Sequence, residues 1–293
     1  MNRRQFINRS ATLLAVGSIA HHLVGCSRPA EQRRIGIQLY SVKDELAKDF
    51  MGSLKKLSET GYSSVEPYGF TSDEFFGYSM NELSKMVNGL GMTVSGSHIW
   101  SNISIEDPDE KEWDFWKSCA GIVKSGGGKW VVQSSLPNVE TMDDLERVCF
   151  YFNRAGEICR QEGTKFAFHN HTEVFKMIDD ELILDLLIKG TDPQLVFFQM
   201  DMGHTVNGGG DCVRYLRDYP KRIPLWHASD FDAASRHYTV LGEGSVPYPE
   251  MFDIAETSGL EELTVEQETG GDIFAACKAN FDYLKQFEWT KTS

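Results

Sequence analysis

Between Phe168 and Glu268, four short apolar runs each end in side chains that bind divalent metals. They are His169 and His171 in Phe-His-Asn-His, Asp201 and His204 in Met-Asp-Met-Gly-His, His227 in Trp-His-Ala-Ser-Asp, and Glu266 in Val-Glu-Gln-Glu. Any one of these alone reads as readily as a capping or core residue. Recurring in chain order at the ends of successive runs, imidazole and carboxylate donors can converge on one borderline-to-hard divalent cation. The chain therefore reads as a metalloenzyme.

Such convergence needs strands whose ends meet. A short apolar or β-branched run, a polar or glycine loop and an amphipathic stretch alternate along the chain. The strand-like runs are 34–39, 64–66, 92–97, 129–133, 165–169, 195–200, 223–228 and 262–266. Helical candidates lie between them at 49–59, 79–90, 109–124, 142–162, 180–188, 211–218, 248–258 and 274–287. Leu145, Val148, Phe152, Ala155 and Ile158 illustrate the helical spacing. Gly61, Gly91, Gly126 to Gly128, Gly163 and Gly259 stand where helices should stop and hand the chain to the next strand. Alternation implies parallel pairing through right-handed crossovers. Eight repeats favour a closed (β/α)8 TIM barrel over an open doubly wound sheet, and no Gly-x-Gly-x-x-Gly follows the first run to support the latter. In such a barrel the chemistry lies at the carboxyl ends of the strands. The metal-binding types fall there, together with Glu66, His98, Trp100, Asp230 and Glu268.

The N-terminus reads differently. Arg3 and Arg4, an apolar run from Ala11 to Val24 and Leu23-Val24-Gly25-Cys26 have the layout of a secretory signal, similar to a twin-arginine leader closed by a lipobox. The expectation is an export signal at 1–25, a lipid anchor at Cys26 as the only membrane attachment, a polar stalk at 26–33 and one barrel domain at 34–293, in the periplasm or tethered to a membrane. Retention of Leu13 to Val24 as a spanning helix is the alternative, but the run falls short of the roughly 20 apolar residues required. Loss of Arg3, Arg4 and Arg9 with the signal takes the formal net charge from −14 to −17. That balance works against nucleic-acid binding, which depends on clustered Lys and Arg. Five cysteines beyond Cys26, without Cys-x-x-Cys spacing, indicate neither a disulfide framework nor a zinc knuckle; most read as small buried apolar residues.

From position 34 to 287 the chain resembles the xylose-isomerase-like barrels, which include sugar isomerases and epimerases, inosose dehydratases and endonuclease IV. The likeness rests on Met-Asp-Met-Gly-His at 200–204, Trp-His-Ala-Ser-Asp at 226–230, Leu-Gly-Glu-Gly at 241–244 and Val-Glu-Gln-Glu at 265–268. Ketose 3-epimerases of this family hold a divalent metal, commonly manganese, with Glu, Asp, His and Glu from strands five to eight. The last three match Asp201, His227 and Glu266. The first is replaced by His169, which can still coordinate as a neutral imidazole. The resemblance thus implies a metal held by His169, Asp201, His227 and Glu266, manganese first, with zinc, magnesium or cobalt as alternatives. It also departs from the family's two-base design, in which the strand-five and strand-eight glutamates each handle a proton.

The implied chemistry is Lewis-acid enolisation of a keto-sugar through an enediolate, with Glu266, His204 and Glu268 as candidate proton carriers. His98, Glu66, His171, Asp230 and His237 are expected to contact substrate, and Trp100 to stack on a sugar face. A salt-bridged structural role for Glu66 and rim packing for Trp100 stay open. Isomerisation, epimerisation and elimination share this chemistry. Exported family members are placed for elimination from 3-keto-glycosides supplied by a partner oxidoreductase. Two other classes stand beside this one: a three-zinc phosphodiesterase like endonuclease IV, disfavoured by His169, export and acidity, and a sugar-binding lipoprotein without turnover.

Overall fold

The computed structural model describes residues 35–69, 74–101, 103, 104, 106, 108–268 and 271–291. The expected export signal at 1–25, the anchor at Cys26 and the stalk at 26–33 lie outside these residues. Eight parallel strands make the frame. They are β1 (Gly36–Gln38), β2 (Ser64–Glu66), β3 in two pieces (Thr93–Val94 and Gly96–Ile99), β4 (Trp130–Gln133), β5 (Lys165–His169), β6 (Val196–Asp201), β7 (Leu225–Ala228) and β8 (Glu262–Val265). Each pairs with the next, and β8 returns to β1. The break in β3 falls at Ser95: its first piece pairs with β2 and its second with β4. The amide of His98 donates to Pro67 O at 2.9 Å, so the second piece also stays stitched to the segment that follows β2. The sheet is a closed TIM barrel with one kinked stave.

Side chains alternate across a strand, so residues two apart share a face. Ala167 and His169, Phe197 and Gln199, and Leu225 and His227 are such pairs on the inner face. Ala167, Phe197 and Leu225 join Trp130 and Val132 in an apolar plug of their own, which fills the barrel below its polar end. A larger core, including Ile37, Val65, Val131, Phe166, Phe168, Trp226 and Val265, lies between the strands and the outer helices.

The longest helix, Met142–Glu162, follows its sequence pattern closely. Thr141 and Asp144 form a capping box at its start, and Gly163 stops it with φ +87°. Gly61, Gly91, Gly127 and Gly259 likewise take positive φ where helices end. The helix expected at 274–287 ends at Leu284, short helices at Lys43–Lys48 and Met202–Asn207 were not expected, and two others differ more in form. The one expected at 180–188 starts at Ile183, because Asp179 and Asp180, at φ +49° and +67°, turn a small hairpin between Met177–Ile178 and Glu181–Leu182; a short polar side chain makes the left-handed region accessible. The one expected at 248–258 is divided into Tyr248–Phe252 and Ala255–Ser258. Among the described residues no helix is long and apolar enough to cross a membrane. Cys119, Cys149, Cys159, Cys212 and Cys277 are all buried.

Candidate functional site

His169 ends β5, Asp201 ends β6, His227 lies in β7, and Glu266 follows β8 directly. One donor atom from each lies within 4.8 Å of the others, and all four residues are buried. His227 Nδ1 stands 2.8 Å from Glu266 Oε2, and His169 Nε2 is 4.0 Å from the same oxygen. Asp201 Oδ1 accepts from Ser229 Oγ and from the amide of His204, each at 2.6 Å. Asp201 Oδ2 is buried with no hydrogen-bond partner. Leaving a carboxylate oxygen dry and unpaired is costly, and the residue that carries it belongs to the four-donor cluster. Two imidazoles and two carboxylates make a donor set suited to a borderline divalent cation, so the residues present fit a metal. His98 forms a second possible trio with His169 and His227, but that set brings no anionic donor.

A second layer lies beneath these four. Gln199 Oε1 sits 2.7 Å from His98 Nε2 and 3.1 Å from His169 Nδ1. Its Nε2 donates to both carboxylate oxygens of Glu66, at 3.1 and 3.0 Å. Glu66 Oε2 also meets His227 Nε2 at 2.9 Å, and the rings of His98 and His227 stack 5.0 Å apart. Sequence reasoning passed over Gln199. Its signal was nonetheless present, as an amide in an otherwise apolar run, two residues before Asp201 and hence on the same face of β6.

Electrostatics follow from this geometry. Burial opposes the charged form of His227, but Glu66 and Glu266 on its two nitrogens outweigh it and raise the ring to about 10. Glu66 is pushed up by burial and more strongly down by His98 and His227, so it is ionised. Burial, reinforced by His98 and His227, holds His169 well below the usual histidine range, as a neutral ring. Burial and Glu266 raise Asp201 against the pull of His204.

Above the four donors opens a cavity of about 560 Å³ with Tyr40, Tyr68, Trp100 and Leu136 on its walls and His98, His169, His171, His204, Glu266 and Glu268 toward its base. That is the size and mixed character of a small-molecule site. Trp100 is 66% exposed at the rim. His204 is held between Tyr238, whose hydroxyl lies 2.6 Å from Nδ1, and Glu268, 3.5 Å from Nε2. Burial lowers its pKa, but Asp201 and Glu268 dominate and bring it to about 9.

Three expected substrate contacts are placed elsewhere. Glu66 is 2% exposed, with its oxygens engaged by Gln199, His98 and His227, so it lies under the site instead of on its wall. Asp230 is 1% exposed and accepts from the amides of Gly242, Gly244 and Val246, which makes it the organiser of the 241–246 loop. His237 stands exposed in the hairpin of Asp230–Asp232 with His237–Thr239 and does not line the cavity. His98, Trp100 and His171 do line it.

Residues 54–292 match the model of the xylose isomerase-like TIM barrels, and the chain belongs to that family. It is 26% identical over 193 residues to the inosose dehydratase of Geobacillus kaustophilus (strain HTA426), a stretch that spans 60% of this chain and 60% of that enzyme. A sugar phosphate isomerase/epimerase from Parabacteroides distasonis ATCC 8503 superposes with a TM-score of 0.79 at 28% identity, covering 90% of this chain and 98% of that one. The D-psicose 3-epimerase of Clostridium cellulolyticum H10, solved with D-tagatose, has a TM-score of 0.66 at 15% identity over 88% of this chain and 99% of that one, a likeness of fold alone.

Proposed function

We propose that the protein is a metal-dependent enzyme that enolises a keto-sugar or keto-cyclitol. The observation that carries the reading is the meeting of His169, Asp201, His227 and Glu266 within 4.8 Å, with Asp201 Oδ2 unpartnered, at the base of an aromatic-walled cavity. A divalent cation bound there supplies Lewis-acid polarisation of a carbonyl and its neighbouring hydroxyl. In this reading Glu266 or Glu268 takes the proton from the adjacent carbon, and His204, whose Nε2 stands 3.5 Å from Glu268, meets a substrate oxygen. Trp100 and Tyr40 cover the ring faces.

Isomerisation or epimerisation is one outcome of this chemistry. Elimination, as in a dehydratase or a 3-keto-glycoside lyase, is the second reading, and His169 favours it. A neutral ring pinned by Gln199 cannot serve as the second carboxylate that two-base epimerisation uses, whereas elimination needs only one base and a donor to the departing oxygen. Names of relatives that include inosose dehydratase point the same way. In this reading the enzyme is exported through its 1–25 signal, anchored at Cys26, and fed by a partner oxidoreductase that makes the ketone.

The test is incubation of metal-loaded protein with ketoses, keto-inositols and 3-keto-glycosides in deuterated water, followed by NMR. Deuterium entry with loss of water or aglycone selects elimination, and entry with inverted configuration selects epimerisation. Absence of exchange with every ketone, alongside undiminished carbohydrate binding, would leave a sugar-binding protein in its place.

A further inference from the structure

A carboxyl that faces one amide group with both of its oxygens meets it as an acceptor. Gln199 must therefore turn its amide nitrogen toward Glu66, where it stands 3.0 and 3.1 Å from the two oxygens. That choice leaves Gln199 Oε1 facing two imidazole nitrogens, His98 Nε2 at 2.7 Å and His169 Nδ1 at 3.1 Å. A carbonyl oxygen accepts, so both nitrogens must carry hydrogen. His169 is then the Nδ1–H tautomer and turns the bare lone pair of Nε2 toward Glu266 and the other donors. On the other side Glu66 accepts directly from His227 Nε2, leaving Nδ1 as the His227 atom that faces Glu266. All five residues of the chain, Glu66, Gln199, His98, His169 and His227, are buried, so water does not compete for these bonds.

We propose that Glu66, through Gln199 for His169 and directly for His227, is a positioning residue that sets which ring nitrogen each of these histidines offers to a metal ion. The proposal rests on the metal-site reading above and extends it to residues that touch neither substrate nor metal. Partners that fix the tautomer and orientation of a ligating histidine contribute about 10–100-fold to metal affinity. The Nδ1–H form is also the minor tautomer of a free imidazole, so its presence at His169 is diagnostic.

The experiment uses Glu66→Gln and Gln199→Met, both close in shape to the native side chains. Histidine 15N spectra at neutral pH report the tautomer of His169 in metal-free protein. Zinc and cobalt dissociation constants come from competition with a chromophoric chelator. Expected are an Nδ1–H His169 in the parent protein, loss or mixing of that form in both variants, and metal binding weakened about 10–100-fold with the metal-free melting temperature kept. An Nε2–H His169 in the parent, or variants with the parent's tautomer and affinity, overturns the inference while leaving the metal site in place. Failure of the parent to bind any divalent ion defeats the proposed function itself, and the metal-free spectra still decide the tautomer.

Discussion

At Asp201 the two carboxylate oxygens have separate fates, and the difference bears on the proposed metal site. Oδ1 is tied down by Ser229 Oγ and the His204 amide, while Oδ2 is left dry. Replacing Asp201 with Asn keeps the shape and an acceptor for both donors but removes the anionic oxygen. Metal affinity in Asp201→Asn should fall by more than the roughly 100-fold upper end seen for second-layer changes, measured by the same chelator competition. The metal-free variant should melt no lower than the parent, because a buried charge beside Glu266 has been removed. Unchanged affinity would take Asp201 out of the ligand set. At this scale the sequence was readable where chemistry is concentrated: imidazoles and carboxylates at run ends named all four residues that the structure brings together within 4.8 Å. It was misleading where a polar residue serves another polar residue. Glu66, Asp230 and Gln199 have the same local sequence character as a substrate contact, an acid or amide at a strand end or in an apolar run. Only the partner across the barrel, up to 161 positions away for Glu66 and His227, separates the two roles.

Among the elements, the segment after β7 shows how backbone organisation reaches the site. Asp230 collects the Gly242, Gly244 and Val246 amides, and the hairpin that starts at Asp230 carries Tyr238 to His204. Asp230→Ala leaves those amides without an acceptor, and a loss of about 2–4 kcal/mol is expected in urea unfolding, with metal affinity kept because no donor atom changes. Gly203 supplies a second check. A Cβ there would stand 2.5 Å from Ser229 Oγ and 3.1 Å from Tyr238 Cε1, so Gly203→Ala should cost about 1–3 kcal/mol and also weaken metal binding by displacing Ser229 from Asp201. A Gly203→Ala variant as stable and as metal-competent as the parent would mean the hairpin yields freely. Strands and long helices were legible because periodicity and caps are local signals, as in Met142–Glu162. The small hairpins were not, since pieces of two or three residues such as Met177–Ile178 carry no period to read, and their turns rest on Asp179 and Asp180 adopting positive φ.

Across the whole molecule the two ends of the barrel carry different work, as the fold's logic implies: chemistry at the carboxyl ends of the strands, stability at the amino ends. Closure itself was expected from eight repeats, whereas the kink at Ser95 was not, because nothing in Thr93 to Gly96 marks which neighbour each half will pair with. At the amino end, Lys129 and Lys165 both pair with Glu261, and the adjacent Glu262 at the start of β8 is largely withdrawn from water. Burial raises Glu262 from its ordinary 4.5 to about 7, with Lys129 opposing and Glu66 and Glu261 reinforcing. A carboxyl whose folded pKa is raised binds more protons in the folded than in the unfolded chain between those two values. Stability contributed by this group therefore falls as pH rises from about 4.5 to 7 and stays low above it. Glu262→Gln removes the ionisation while keeping size and polarity. It should stabilise the protein at pH 8 by about 2 kcal/mol, an order-of-magnitude figure discounted for partial exposure, and make little difference at pH 4.5. Urea unfolding at both pH values checks this. An equal gain at both would show that Glu262 is unfavourable for reasons of packing, and a loss at pH 8 would show that its charge is stabilised by Lys129 instead of penalised by burial.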